Sequence, residues 1–315
     1  MLLTTTVFYV GYGLEQCFAP INGVETMPCG NVSKDLIQRD KLVKTLRSPV
    51  PMHQLLIDLN ESSLKLNSKT DWLQTFPKTY QLYDTAFARS VIDKYYPHLI
   101  GLYDSYPEDV QRADLARIAL LHHFGGIYSD LDAFPRERAV RLNRTSAGAI
   151  QTAYIPVGNG GVLLNHFLIA NKGNKFLNYL LNSLPTFNSR WKWIPFPYLR
   201  TFLTTGPCAV TAALRNWQSR WEKNGKAIAP YVIRLEYPDC LVKHEGGREW
   251  LSIDGIIFNW VGDNFVLFVY LIVSIITFSV LVWLLCRLRA RALTGGSSAS
   301  QFADGQAKLF PTRFV

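Results

Sequence analysis

Two aspartates, Asp130 and Asp132, stand one residue apart at the end of the stretch RADLARIALLHHFGGIYSDLD. In an extended chain, residues two apart point to the same side, so these carboxylates lie about 6–7 Å apart along one face. They repel each other unless a cation sits between or beside them. A hard divalent ion, Mn2+ or Mg2+, prefers oxygen ligands of this kind and can also grip a diphosphate. Breaking a bond to a diphosphate leaving group builds negative charge that such an ion neutralises. A lone DxD is also the make-up of a solvated turn, so the surrounding elements decide between the two readings.

Those elements read as helix, stop and strand. Ser105 and Glu108 have the spacing of a capping box, with Pro107 in the first turn, which predicts a helix beginning there. On it Asp114, Arg117 and Leu121 share a face, while Leu115, Ile118, Ala119 and His122 form an adjoining face that packs inward. Gly125 and Gly126 end the helix, since glycine accepts the positive φ of a C-cap. Ile127 to Asp132 then reads as a strand with Tyr128, Asp130 and Asp132 on one side. Two carboxylates on a strand this apolar are costly without a ligand, which favours the metal reading. Asp114 and Arg117 are either part of the same site or an ordinary surface ion pair.

Composition narrows the class. The chain has 315 residues, 48% of them hydrophobic, enough for one large core or two modest ones. Phe265 to Leu285 is an apolar run relieved only by Ser274, Thr277 and Ser279, followed at once by Arg287, Arg289 and Arg291. At roughly 1.5 Å per residue it just spans a hydrocarbon layer of about 30 Å. The positive-inside rule then places the C-terminal tail in the cytosol and the bulk of the chain in the lumen of the secretory pathway. The sequons at Asn31, Asn60 and Asn143 lie on that lumenal side, as do Cys17, Cys29, Cys208 and Cys240, where disulfides are permitted. The formal charge is +9, of which the tail after Cys286 carries +4. No segment before the span combines a basic stripe with interleaved aromatics, which excludes a nucleic-acid partner.

The signature stretch resembles that of the DXD-containing sugar transferases of glycosyltransferase family 32. It is also similar to the core shared by glucosylating bacterial toxins and α-1,4-galactosyltransferases. Further segments extend the resemblance: PMHQLL around His53 and Gln54, YQLYDT from Tyr80, WIPFPYLRTFLTTGP ending at Pro207, and HEGGREWLSIDGIIFNWVGD from His244. Within the family the chain most resembles the fungal mannosyl inositol phosphoceramide synthases. The resemblance implies an α/β, GT-A-like nucleotide-sugar-binding domain with a C-terminal transmembrane helix, and a retaining reaction. By motif, Asp114 and Arg117 would contact the donor sugar, Tyr128 would line the nucleotide pocket, and Asp130 would contact ribose and sugar. Asp132 would ligate the metal with Asp130. Trp250 would cover the nucleotide or pack in the core. The late segment has Arg248 and Glu249 where relatives have two serines, so Glu249 would substitute as an oxygen ligand, and Leu251 replaces a histidine. Ala133 replaces a further acid of the ceramide-modifying branch.

The expected organisation is an N-terminal segment at 1–49 that reads as the remnant of a signal anchor, a transferase domain at 50–262, a transmembrane helix at 263–286 and a disordered basic tail at 287–315. The expected reaction is transfer of mannose from GDP-mannose to inositol phosphoceramide at the Golgi membrane, in a single-pass or two-pass protein. A regulatory membrane subunit is the partner that the resemblance implies. The competing readings are a glycan- or protein-directed mannosyl- or galactosyltransferase of the same fold, and a non-catalytic membrane partner that keeps the fold.

Overall fold

A computed structural model describes residues 17–18, 21–42, 49–57, 67–158, 161–226, 231–236, 241–245, 253–264 and 270–289. The strands are β1 (Thr26–Met27), β2 (Met52–Leu56), β3 (Tyr80–Asp84), β4 (Gly126–Ser129), β5 (Ala133–Pro135), β6 (Ala153–Pro156), β7 (Phe167–Ala170), β8 (Val232–Leu235) and β9 (Val242–His244). The helices are α1 (Cys29–Leu42), α2 (Lys69–Thr75), α3 (Thr85–Tyr95), α4 (Pro97–Ser105), α5 (Asp109–Phe124), α6 (Glu137–Val140), α7 (Lys175–Trp191), α8 (Pro197–Thr204), α9 (Pro207–Glu222) and α10 (Ile253–Asp263). A last helix, α11, covers Tyr270–Arg289.

Seven strands form one sheet in the order β1-β8-β6-β7-β4-β2-β3, and β5 pairs with β9 in a small separate ladder. Only β7 runs against its neighbours, β4 and β6; the other described pairings in this sheet are parallel. A largely parallel sheet needs cover on both faces, and the side chains alternate accordingly. Ile127 joins a core with Leu36 of α1, Trp72 of α2 and Phe167, while its neighbour Tyr128 joins the opposite core with Ile92, Leu115, Leu180 and Ala213. The expected α/β class is therefore observed. The chain forms two compact units, Met1–Gly255 and Ile256–Val315. The first unit takes in β1 and α1, so its sheet begins well before residue 50. The second holds α11, a helix long and apolar enough to cross a membrane, with a mean hydropathy of 2.4 over its apolar stretch and no buried residue there.

Two local expectations are corrected. Ser105 does not cap the signature helix; it closes α4, with its hydroxyl donating to Leu102 O at 2.8 Å. Tyr106 is extended ahead of Pro107, as a residue before proline prefers, so α5 starts only at Asp109 with Glu108 at its N-cap and no side-chain capping bond. Nor does β4 run on to Asp132. It stops at Ser129, and Asp130 to Ala133 form a turn closed by Ala133 N donating to Asp130 O at 3.1 Å. The glycine stop is as expected. Gly125 has φ 70°, and a Cβ on Gly126 would lie 2.3 Å from Pro51 O, so close approach of the residue just before β2 excludes any other residue there.

Cys17 is disulfide-bonded to Cys208 in the first turn of α9, across 191 residues of sequence. Cys29 is disulfide-bonded as well. Closing so long a loop removes much of the unfolded chain's freedom, worth up to about 5 kcal/mol in the chain-entropy view. Cys208→Ser should therefore lower the thermal midpoint of the non-reduced protein by many degrees, and reductant, which also opens the bond at Cys29, should lower the wild-type midpoint by at least as much. Equal midpoints in all these samples would mean that the bond adds nothing to stability.

Candidate active site

Helix α5 carries Asp114 and Arg117 on one face, but this face is not at the surface. Asp114 is 4% and Arg117 6% exposed, which removes the surface-pair reading. Arg117 Nη2 lies 3.4 Å from Asp114, and its Nη1 donates to Asp130 Oδ2 at 3.1 Å and to Asn165 O at 3.0 Å. The guanidinium also lies 5.2 Å from the centre of the Tyr128 ring, a cation–π contact. Tyr128 is itself buried, and its hydroxyl donates to Asp130 Oδ1 at 2.7 Å. Arg117, Tyr128 and Asp130 thus form one connected set, joined from the helix side by Asp114. Burial pushes the Asp130 carboxyl up to about 6 against the pull of Arg117, with the charge of Asp132 adding to the rise. Burial likewise raises Asp114, opposed by Arg117 and by hydrogen bonds from Thr205 and Asn165.

The DxD turn is held by its backbone. Asp130 N donates to His166 O at 2.8 Å, and Gln54 Nε2 donates to Asp130 O at 3.1 Å. Ser68 N donates to Leu131 O at 2.7 Å, Glu245 N to Asp132 O at 3.0 Å and Trp72 Nε1 to Ala133 O at 2.7 Å. Residues from β2, α2, β7's approach and the segment after β9 therefore fix successive peptides. His53, beside Gln54, braces the glycine stop. Its Nε2 donates to Gly125 O at 2.7 Å, which leaves Nδ1 to accept from the Tyr83 hydroxyl at 3.1 Å. Burial lowers this imidazole to about 4, so it stays neutral.

The β5–β9 ladder brings in a residue that the motif reading passed over. Ala133 pairs with His244, which sets His244 Nε2 3.3 Å from Asp132 Oδ2. Burial opposes a charge on His244, but the hydrogen bond and charge of Asp132 prevail and raise it. His166 stacks on His244 with ring centres 4.3 Å apart, and burial lowers His166 to about 3. Asp132 keeps a quarter of its side chain exposed, as does Asp130. Asp130 and Asp132 are the oxygen donors that could hold a hard cation, with His244 beside them. Among the described residues no group of three or more His, Cys, Asp or Glu forms a complete metal cage. Glu249 and Trp250, expected as metal ligand and nucleotide contact, lie outside the described residues, as do Arg248 and Leu251. Asn165, His166, Thr205 and His244 are the site neighbours that sequence reasoning missed. His244, at the head of the late segment, and Thr205, in the stretch ending at Pro207, lay in segments that carried the resemblance; Asn165 and His166 had no such signal.

The geometry predicts an asymmetric cost at Arg117. Removing its charge leaves Asp114 and Asp130 buried without their cation, a loss of about 3–5 kcal/mol for Arg117→Met. Chemical denaturation should show it as a lower midpoint with an unchanged slope. A cost below 1 kcal/mol would show that the two carboxylates do not depend on this cation.

Residues 40–148 match the family model described as glycosyltransferase sugar-binding region containing DXD motif. Inositol phosphoceramide mannosyltransferase 3 of Schizosaccharomyces pombe is 27% identical over 245 residues, 75% of this chain and 64% of that protein. Inositol phosphoceramide mannosyltransferase 1 of the same organism is 24% identical over 283 residues, covering 88% of this chain and 85% of that protein. The chain thus spans a little under two thirds of the first relative and most of the second. Among solved structures, PaToxG glycosyltransferase matches with a TM-score of 0.38 at 15% identity, over 63% of this chain and 82% of that one. Asp130 and Asp132 both lie inside the segment that matches this family model.

Proposed function

We propose that the chain is a membrane-anchored glycosyltransferase of GT-A type that takes a hexose from a nucleotide sugar with the help of a divalent cation, with retention at the anomeric carbon. The names of the two mannosyltransferase relatives support a finer reading, mannose delivered to inositol phosphoceramide; GDP-mannose as the donor and the Golgi membrane as the place are what the family resemblance implies. The observation that carries the proposal is the buried set of Arg117, Tyr128 and Asp130 beside the part-exposed Asp132. Arg117 Nε and His166 Nε2 are buried there with no hydrogen-bond partner among the described residues, which suits a site completed by its ligand.

The donor set fits Mn2+ or Mg2+ in kind, since carboxylate oxygens suit hard cations. Asp132, with Asp130, would hold the ion; when bound, it neutralises charge on the departing diphosphate. His244 steadies the Asp132 carboxylate from the β9 side. Arg117, charged at any working pH, places a fixed cation next to the donor's sugar and phosphate, and its burial strengthens that field. Tyr128 holds Asp130 from beneath rather than presenting its ring to a nucleotide. Asp114 steadies Arg117 from within α5.

Asp132→Ala should abolish sugar transfer and Mn2+-dependent nucleotide binding while costing little stability, because the side chain is part-exposed. Calorimetry that finds the same Mn2+-dependent GDP affinity in this variant would take Asp132 out of the site.

The anchor supports a lumenal domain, as does a disulfide that joins distant parts of the first unit. Protease added to sealed microsomes should trim only the tail beyond Cys286 and leave the large domain intact, glycosylated at one or more of Asn31, Asn60 and Asn143. Complete digestion of that domain in sealed vesicles would overturn the topology.

A further inference from the structure

The segment Thr204-Thr205-Gly206-Pro207 is set against the acids of α5 without touching the DxD turn. Helix α8 and its C-cap Thr205 meet α5 and its N-cap Glu108 at three levels, at residues 108, 111 and 114, each three along from the last, so that they form one stripe. Arg200 forms an ion pair with Glu108, Gln111 Nε2 donates to Thr204 Oγ1 at 2.7 Å, and Thr205 Oγ1 donates to Asp114 Oδ2 at 2.8 Å. Only the last level reaches a residue of the candidate site. The Thr205 hydroxyl has one proton to give, and its other acceptor, Thr201 O, lies at 3.5 Å, the outer limit of a hydrogen bond. Thr205 is 2% exposed, and the turn that carries it is tight: Gly206 N donates to Thr201 O at 2.9 Å, and a Cβ on Gly206 would stand 3.1 Å from Phe202 Cα.

Asp114 therefore takes its direction from neutral donors on two other segments. Asn165 Nδ2 donates to Oδ1 at 2.8 Å and Thr205 holds Oδ2, while Arg117 stays at 3.4 Å, longer than a charge-assisted hydrogen bond. We infer that Thr205 is a positioning residue for the transfer reaction: its hydroxyl keeps the Asp114 carboxylate from closing onto Arg117, so that the guanidinium stays turned toward Asp130 and the donor. Without that bond, Oδ2 is left to find a new donor, and the nearest strong one is the guanidinium. The inference rests on the donor-site reading proposed above.

The test uses the full chain in detergent with Mn2+ and whichever of GDP-mannose, UDP-galactose and UDP-glucose the wild type hydrolyses, with turnover counted per folded molecule. Thr205→Val should lower kcat about tenfold or more with KM for the donor nearly unchanged, and Thr205→Ser should restore kcat to within about threefold of wild type. A role in folding alone would shift the thermal midpoint but not turnover per folded molecule. Thr205→Val combined with Asp114→Asn carries no unpaired buried charge and serves if the single variant folds poorly. It should be no slower than Asp114→Asn alone, because both changes act on one carboxylate. Normal kcat in Thr205→Val, or independent losses in the double variant, would overturn the role of Thr205 while leaving the donor site in place. A wild type that hydrolyses none of the three donors, or an Asp114→Asn chain with normal turnover, would overturn the donor-site reading and this inference with it.

Discussion

A guanidinium buried among carboxylate and carbonyl oxygens is expensive to build and has one stable arrangement once built. Arg117 is held between Asp114, Asp130 and the Asn165 carbonyl, with the Tyr128 ring beside it. That cation joins helix α5 to the residue just after β4, 13 positions on, and to the approach to β7, 48 positions on. Each contributes a group that would be costly without the others: Asp130 would be a carboxylate in an apolar setting, and the 165 carbonyl an acceptor without a donor. The polar centre thus fixes the mutual positions of elements that the apolar core alone would let slide.

The turn at Asp130–Ala133 solves a related problem by other means. Its two acidic side chains stay a quarter exposed even though Arg117, Tyr128 and His244 reach them. The anchoring is done by peptides, each bonded to a different neighbour: Gln54, Ser68, Glu245, Trp72 and the His166 carbonyl. Most of those neighbours are buried, which gives them little freedom to relax. Carboxylates on a turn held by its backbone are already aimed, so any ligand that met them would need little further ordering. The same logic explains Gln54, whose own carbonyl is engaged by the Tyr80 hydroxyl at 2.9 Å and whose amide is thereby directed at Asp130 O.

What could be read from the residues was local. The helix of the signature stretch, its glycine stop, the shared face of Asp114 and Arg117, and the apolar span all follow from spacings of two to four residues or from an unbroken run. The strand's early end at Ser129 could not be read, because its side-chain alternation continues through Asp132 while the backbone turns to meet Gln54 and Ser68. Nor could α4 be foreseen, since Pro97 to Ser105 lacks a clear apolar stripe and its last serine imitates a cap for the next helix. His244 reaches Asp132 only through a ladder between residues more than a hundred apart, and Thr205 reaches Asp114 across 91. His166 sits at the edge of the apolar FLIA strand, where nothing nearby marks it as a neighbour of the acids. Contacts of this kind are decided by topology, which leaves no periodic trace in the sequence.

The bond between Cys17 and Cys208 also imposes an order of events in time. A chain emerges from the ribosome at about 5–20 residues per second, so the 191 residues between the two thiols take roughly 10–40 s to appear. For that interval Cys17 waits, with Cys29 as its nearest thiol and a short, easily closed loop between them. The edge pairing of β1 with β8 waits longer still, since Thr26 meets Arg234. Cys17 and β1 are thus made well before the cysteine and the strand they pair with, and the acids of α5 are synthesised before β8, next to the sheet's edge. During that wait Cys17 and Cys29 are open to pairing with each other, and undoing such a bond takes seconds to hours depending on oxidant and isomerase.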